Sequence, residues 1–199
     1  MGRLKQLLTV AEQPAVCCCL HALGRAGIKD IVVVLGHGAD EIMNFVGPSV
    51  KVVINKDPES QMADSVRLGL RAVDPASKGV LVCLADHPLV SAGTIGSILS
   101  MHQRMPGSII IPQHGGRRGH PTLFPGSLLA GMGAGENLRD LVRRHESLHV
   151  LLPVEDEGVV LDMDTEEDYR RLADLAGTRG CGSSIIAEGP TFPGATEPE

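Results

Sequence analysis

The sequence predicts an α/β sandwich built on a mostly parallel sheet, and three observations carry that prediction. Short apolar runs rich in β-branched residues alternate with segments of helical periodicity. Each run stops at a turn residue, as buried parallel strands do. The chain has 199 residues with 43% hydrophobic content, enough for one such domain and too apolar for global disorder.

The chain opens on a polar segment followed by the short apolar stretch Leu7-Leu8-Thr9-Val10. Domains of this type normally open with a strand, a glycine-rich turn and a helix that cradle phosphate, and that first cradle is missing. Ala15, Val16, Cys19, Leu20 and Leu23 share one face of a helix that should end near Gly24 or Gly27. Strands are expected at 31–35, 50–54, 80–84 and 108–111, ending at Gly36, Asn55, Asp86 and Pro112. Gly36-His37-Gly38 opens a helix but lacks both the P-loop Lys-Ser/Thr and a full G-x-G-x-x-G. Ile95, Ile98, Leu99 and His102 mark a further helix, as do Leu138, Leu141, Val142 and His145. Residues 158–161 read as a strand leading into Asp162-Met163-Asp164, and the last helix carries Tyr169, Leu172, Ala173 and Ala176. Its acidic first turn suits the helix dipole and offers an Asp or Thr cap. From residue 177 the composition turns to Gly, Pro, Ser and Thr, so the expected organisation is a domain over 1–176 and a flexible tail or linker over 177–199.

Composition narrows the function. A net charge of -6 with no basic block disfavours capture of nucleic acid. Phe45, Phe124, Tyr169 and Phe192 are too scattered to stack bases. The apolar runs are strand-sized, far short of a membrane span, and the first residues lack a signal core. Cys17, Cys18, Cys19, Cys83 and Cys181 form no C-x-x-C pair, and adjacent helical residues point about 100° apart. They read as small core residues in a reducing cytoplasm.

Ligands of open α/β sheets gather beyond the carboxyl ends of the strands. Asp86-His87-Pro88, Asn55 and Asp162-Met163-Asp164 stand at such ends, and residues 115–121 form a basic, glycine-rich loop. Carboxylates from two strand ends plus such a loop suit Mg²⁺ and a polyphosphate. Backbone N–H groups and Arg or Lys would hold the remaining anionic oxygens. Asp86 reads either as a turn former or as a ligand, and Asp164 as a cap or a ligand. Asp162, buried-looking between Leu161 and Met163, is harder to read as a cap and is favoured as the second ligand.

Four stretches together resemble the MobA-like nucleotidyltransferases over residues 1–176, and among them the branch of molybdenum cofactor cytidylyltransferase. They are Met1 to Leu8, Ala85-Asp86-His87-Pro88-Leu89-Val90, Arg117-Arg118-Gly119-His120-Pro121 and Leu161 to Tyr169. The resemblance implies a Rossmann-like, three-layer domain of the nucleotide-diphospho-sugar transferase type. It implies transfer of CMP or GMP from CTP or GTP to a phosphorylated acceptor, molybdopterin in that branch, with release of pyrophosphate. Lys5 would then hold the triphosphate, and Asp86 and Asp162 would ligate Mg²⁺. Asn55 and Ser65 would lie near the nucleotide, with Gly119 and His120 on the acceptor side. A molybdoenzyme or a further C-terminal domain would be the macromolecular partner. The usual first strand and its glycine-rich loop have no counterpart, and residues 61–65 lack the glycine that often precedes the serine. Two expectations follow. One is that Met1 is internal to a longer native chain; the other is that this chain is an inactive binding module derived from the family.

Overall fold

The computed structural model describes residues 4–10, 12–133 and 135–178. Residues 5–7 form a 3₁₀ turn, and β1 (Thr9–Val10) pairs antiparallel with β2 (Gln13–Pro14) ahead of α1 (Ala15–Arg25). Then come β3 (Val32–Leu35), α2 (Ala39–Met43), β4 (Lys51–Ile54), α3 (Met62–Ala72), β5 (Gly79–Val82) and α4 (Ala92–Arg104). The second half holds β6 (Ile109–His114), β7 (Arg117–Arg118), β8 (Thr122–Pro125), α5 (Gly126–Ala130), α6 (Leu138–Arg144), β9 (His149–Pro153) and α7 (Glu166–Thr178). The strands and helices read from periodicity are present, with shifted ends, apart from the strand expected over 158–161. The segment beyond residue 178, including Cys181, lies outside the described residues.

The fold is the α/β sandwich expected, with a mixed sheet. β3 and β4 pair parallel, and so do β6 and β9. β8 lies between β5 and β6, antiparallel to both, so β5, β6 and β9 share one direction. The strands form two main sheets because β3 bonds only β4 and β5 only β8. Among the described residues no strand pairs with both sheets, and the opening residues form the 3₁₀ turn and the short hairpin.

Strand alternation builds the layers. On β6, Ile109 and Ile111 pack with Phe124, Leu129 and Leu141 on the α5–α6 face, while Ile110 packs with Ile98 of α4 on the other. On β3, Val33 and Leu35 meet Val16, Cys17 and Leu20 of α1, whereas Val34 lies against Gly69 of α3. Helix α7 closes the molecule by setting Leu172 and Ala176 against Val10, Ala15, Leu161 and Met163.

His102 of α4 packs against Gly79 with both ring nitrogens buried and unpartnered. Burial pushes its imidazole pKa below the usual value. The unfolded chain therefore takes up a proton before the native state does, and stability falls as pH drops below about 6.5. His102→Leu is expected to flatten that loss in thermal melts between roughly pH 6.5 and 5. An unchanged slope would assign it to the other buried histidines.

Candidate active site

The segment carrying Asp162 differs from expectation: residues 157–160 form a 3₁₀ turn rather than a strand. Tertiary packing overrides the β-branched run Val159-Val160. Gly158 presses on the Leu89 carbonyl, where a Cβ would collide, and its N–H donates to Asp156 Oδ1 at 3.1 Å. Asp156 Oδ2 also accepts from the Ser91 N–H at 2.8 Å and from Thr94 Oγ1 at 2.7 Å, tying the turn to the start of α4. Burial works against that carboxylate's charge, yet the hydrogen bonds from Ser91, Thr94 and Gly158 win and hold its pKa below the usual range.

This turn receives the loop after β7. The His120 N–H donates to the Val159 carbonyl at 2.8 Å, and the Gly119 N–H to that of Pro112 at 2.8 Å. Gly119 is buried so close to Val159 that any Cβ would overlap the carbonyl. Gly119 is thus accounted for by close backbone approach. Gly119→Ala is expected to cost about 1–3 kcal/mol by overpacking and to move His120 relative to Asp162. Denaturant melts read the loss; an unchanged midpoint would show that the turn yields freely.

Asp162 is exposed, contrary to the buried position expected, and the reason is alternation. Leu161 and Met163 point into the core at 7% and 0% exposure, so the residue between them points out. Asp86 follows β5, whose pairing stops at Val82 opposite Thr122. The chain then turns, with the His87 N–H donating to the Leu84 carbonyl at 3.3 Å. Cys19 of α1 props this turn, its Sγ lying 3.8 Å from the His87 carbonyl. Burial raises the Cys19 thiol strongly and pushes Cys83 up to about 12, so both are inert thiols.

Lys5 pairs with Asp164, and Asp86 and Asp162 lie within electrostatic reach of its ammonium. Lys5 Nζ donates to Asp164 Oδ1 at 2.9 Å across 159 residues of sequence. That bond, with added attraction from Asp164, Asp86 and Asp162, raises the ammonium pKa against a lowering by desolvation. Asp164 is thus the ion-pair partner of Lys5 rather than the helix cap. The cap of α7 is Thr165, whose Oγ1 accepts from the Asp168 N–H at 3.1 Å while Asp168 Oδ2 accepts from the Thr165 N–H at 2.9 Å. Asp86 Oδ1 is buried with no hydrogen-bond partner. His87, 8% exposed, places Nε2 3.9 Å from that oxygen and its ring 5.2 Å from that of His120. Burial, then the neighbouring His87, pushes the His120 pKa down, against the pull of Asp86 and Asp162.

Asn55 and Ser65 form a second group. Asn55, 8% exposed, donates from Nδ2 to Ser60 Oγ at 2.8 Å and to Ser65 Oγ at 3.0 Å. Among the described residues none of these bonds reaches Lys5 or Asp86. Sequence reasoning missed His87, Asp156 and the Lys5–Asp164 pair. His87 carried a signal, since it lies inside the Asp86-His87-Pro88 string; the other two are visible only in three dimensions.

A buried, unpartnered carboxylate oxygen beside a second carboxylate and an ammonium fits a divalent cation with a polyphosphate. Among the described residues no cluster of three or more His, Cys, Asp or Glu is arranged to hold a metal alone.

The family model of the MobA-like NTP transferase domain matches residues 1–150. The chain belongs to this MobA-like family. Among curated relatives of this MobA-like chain is nicotine blue oxidoreductase of Paenarthrobacter nicotinovorans, 30% identical over 158 residues, covering 73% of this chain and 76% of that one. The bifunctional protein GlmU of Mycobacterium ulcerans is 29% identical over 115 residues; the match spans 54% of this chain but only 23% of GlmU. Among solved structures, Rv0371c of Mycobacterium tuberculosis H37Rv superposes with a TM-score of 0.76 at 28% identity, over 87% of this chain and 90% of that chain. The same protein in complex with manganese gives a TM-score of 0.74 at 28% identity, over 87% and 93%. No helix among the described residues of the MobA-like chain is long and apolar enough to cross a membrane.

Proposed function

We propose that this chain is a divalent-metal-dependent nucleotidyltransferase that moves CMP or GMP from CTP or GTP to a phosphorylated small molecule, releasing pyrophosphate. The acceptor that fits the resemblance is molybdopterin. The observation that supports it most is that Asp86 Oδ1 is buried without a hydrogen bond while Asp86 and Asp162 both act on the charge of Lys5. The manganese complex of the similar Rv0371c protein supports a divalent ion, and Mg²⁺ is the ion proposed for catalysis.

Asp86 and Asp162 would hold the metal, which when bound supplies Lewis-acid neutralisation of the polyphosphate. Lys5 exchanges Asp164 for the triphosphate, an inexpensive trade because the ion pair is solvent-exposed. The Asn55–Ser65 group holds the nucleoside end, and His120 with the backbone at Gly119 lines the acceptor side. An acceptor phosphate oxygen attacks the α-phosphorus as the bond to pyrophosphate breaks, so no protein nucleophile is needed.

A second reading comes from the relative named nicotine blue oxidoreductase, similar over most of both chains. In the same fold it would make this chain a reductase. One experiment separates them. The full chain with Mg²⁺, CTP or GTP and molybdopterin should release pyrophosphate, and EDTA should stop it. No release and no NTP binding, with oxidation of NADH or NADPH by a quinonoid dye instead, would sink the transferase reading.

A further inference from the structure

A polar cleft adjoins the site, lined by Arg117, Val160, Leu161, Asp162, Asp168 and Arg171. Lys5 and Asp86 do not line it. Asp162 thus belongs both to the metal-binding group and to the wall of a separate compartment.

The two guanidiniums reach that compartment for different reasons. Gly115 and Gly116, both with positive φ, make the tight turn that pairs Arg117 with His114, and Gln113 Nε2 donates to the Gly116 carbonyl at 3.1 Å. The hairpin thereby fixes the backbone under Arg117. Among the described residues this guanidinium donates to the Val160 carbonyl at 3.5 Å, a marginal contact. Arg171 on α7 is steadied by an ion pair with Glu157, which engages only part of its donor fork. Of the two carboxylates in the cleft, Asp168 is committed to Thr165, whose hydroxyl and N–H hold its pKa below the usual range. Asp162 is assigned to the metal. Asp168 also attracts Arg171, yet both arginines keep spare N–H donors, which suit an anion.

We propose that Arg117 and Arg171 form a guanidinium clamp for the acceptor's phosphate, separate from the triphosphate contact at Lys5. The proposal rests on the nucleotidyltransferase reading for what the phosphate then does. Planar guanidiniums hold two oxygens of a phosphate monoester dianion and leave the third free. That third oxygen, already deprotonated, forms the new bond to the α-phosphorus, and the electron pair of the breaking bond departs on pyrophosphate. No proton has to be moved.

The test uses the full chain loaded with Mn²⁺ and titrated with inorganic phosphate, read by broadening of the phosphate ³¹P line. Broadening that saturates is expected in the wild type. Arg117→Ala should weaken phosphate about tenfold, Arg117→Lys less, and the double variant with Arg171→Ala should abolish saturation. Affinity for Mn²⁺-CTP should stay within about twofold, because Lys5 is untouched. Unchanged phosphate binding in Arg117→Ala would overturn the clamp. So would an equal loss of Mn²⁺-CTP binding, which would put Arg117 on the nucleotide side. If the wild type binds phosphate through Arg117 but fails to bind Mn²⁺-CTP, the clamp stands and the transferase reading falls.

Discussion

Asp86→Ala is expected to lower turnover by a factor on the order of 10³ while leaving the thermal midpoint unchanged or slightly raised. The two halves of this result have one cause. Asp86 Oδ1 is buried and makes no hydrogen bond; its polar neighbour, His87 Nε2 at 3.9 Å, is too distant to repay much of the cost of burying it. Deleting it therefore costs the fold little while removing the carboxylate proposed to hold the metal. Asp86→Asn keeps the shape but halves the acceptor capacity and removes the charge, and should be nearly as inactive. Steady-state pyrophosphate release and calorimetry on the same preparations decide the matter. Full activity in either variant would take Asp86 out of the metal site, and a large drop in midpoint would make it a structural turn former instead.

Lys5→Ala carries the second large effect, a fall of about 10²-fold in kcat/KM for the nucleoside triphosphate. Stability should barely move. The pair with Asp164 is exposed, with side chains 35% and 64% accessible, and such a pair is worth under about 1 kcal/mol. The raised pKa keeps Lys5 cationic across the assay range, so the loss should not depend on pH between about 6 and 9. Asp164→Asn tests the competition directly. With its resting partner neutralised, Lys5 should bind the triphosphate at least as tightly as before. Weaker binding in that variant would instead make Asp164 part of the nucleotide site.

Much of the architecture was readable along the chain, because buried strands and amphipathic helices carry their own periods. The runs that became β3, β4, β5 and β6 are β-branched and stop at turn residues, and α1, α4, α6 and α7 each repeat apolar positions at helical spacing. β8 and β9 escaped that reading. Thr122–Pro125 and His149–Pro153 are short and end in proline, so their strand character comes from the neighbours that accept their backbone, β5 and β6 for β8 and β6 for β9. The error over 158–161 has the opposite sign: a β-branched run with no ladder to join was bent into a turn by Gly158 and Asp156.

The candidate site divides in the same way. Residue types and their order along the chain pointed to Asp86, Asp162 and the loop at Gly119-His120, and the resemblance supplied their roles and added Lys5. The sequence by itself determined the α/β layering, the family and the set of charged groups available for chemistry. These depend on local periodicity and on motif order, both of which a linear string records. Only the tertiary structure decided that Asp162 faces solvent, that Lys5 rests on Asp164, that Asp86 keeps a buried oxygen without a partner, and that Arg117 and Arg171 share a cleft. Each of these is a contact, or a missing contact, between groups far apart in the chain. Burial and pairing of that kind are set by how the layers close on one another.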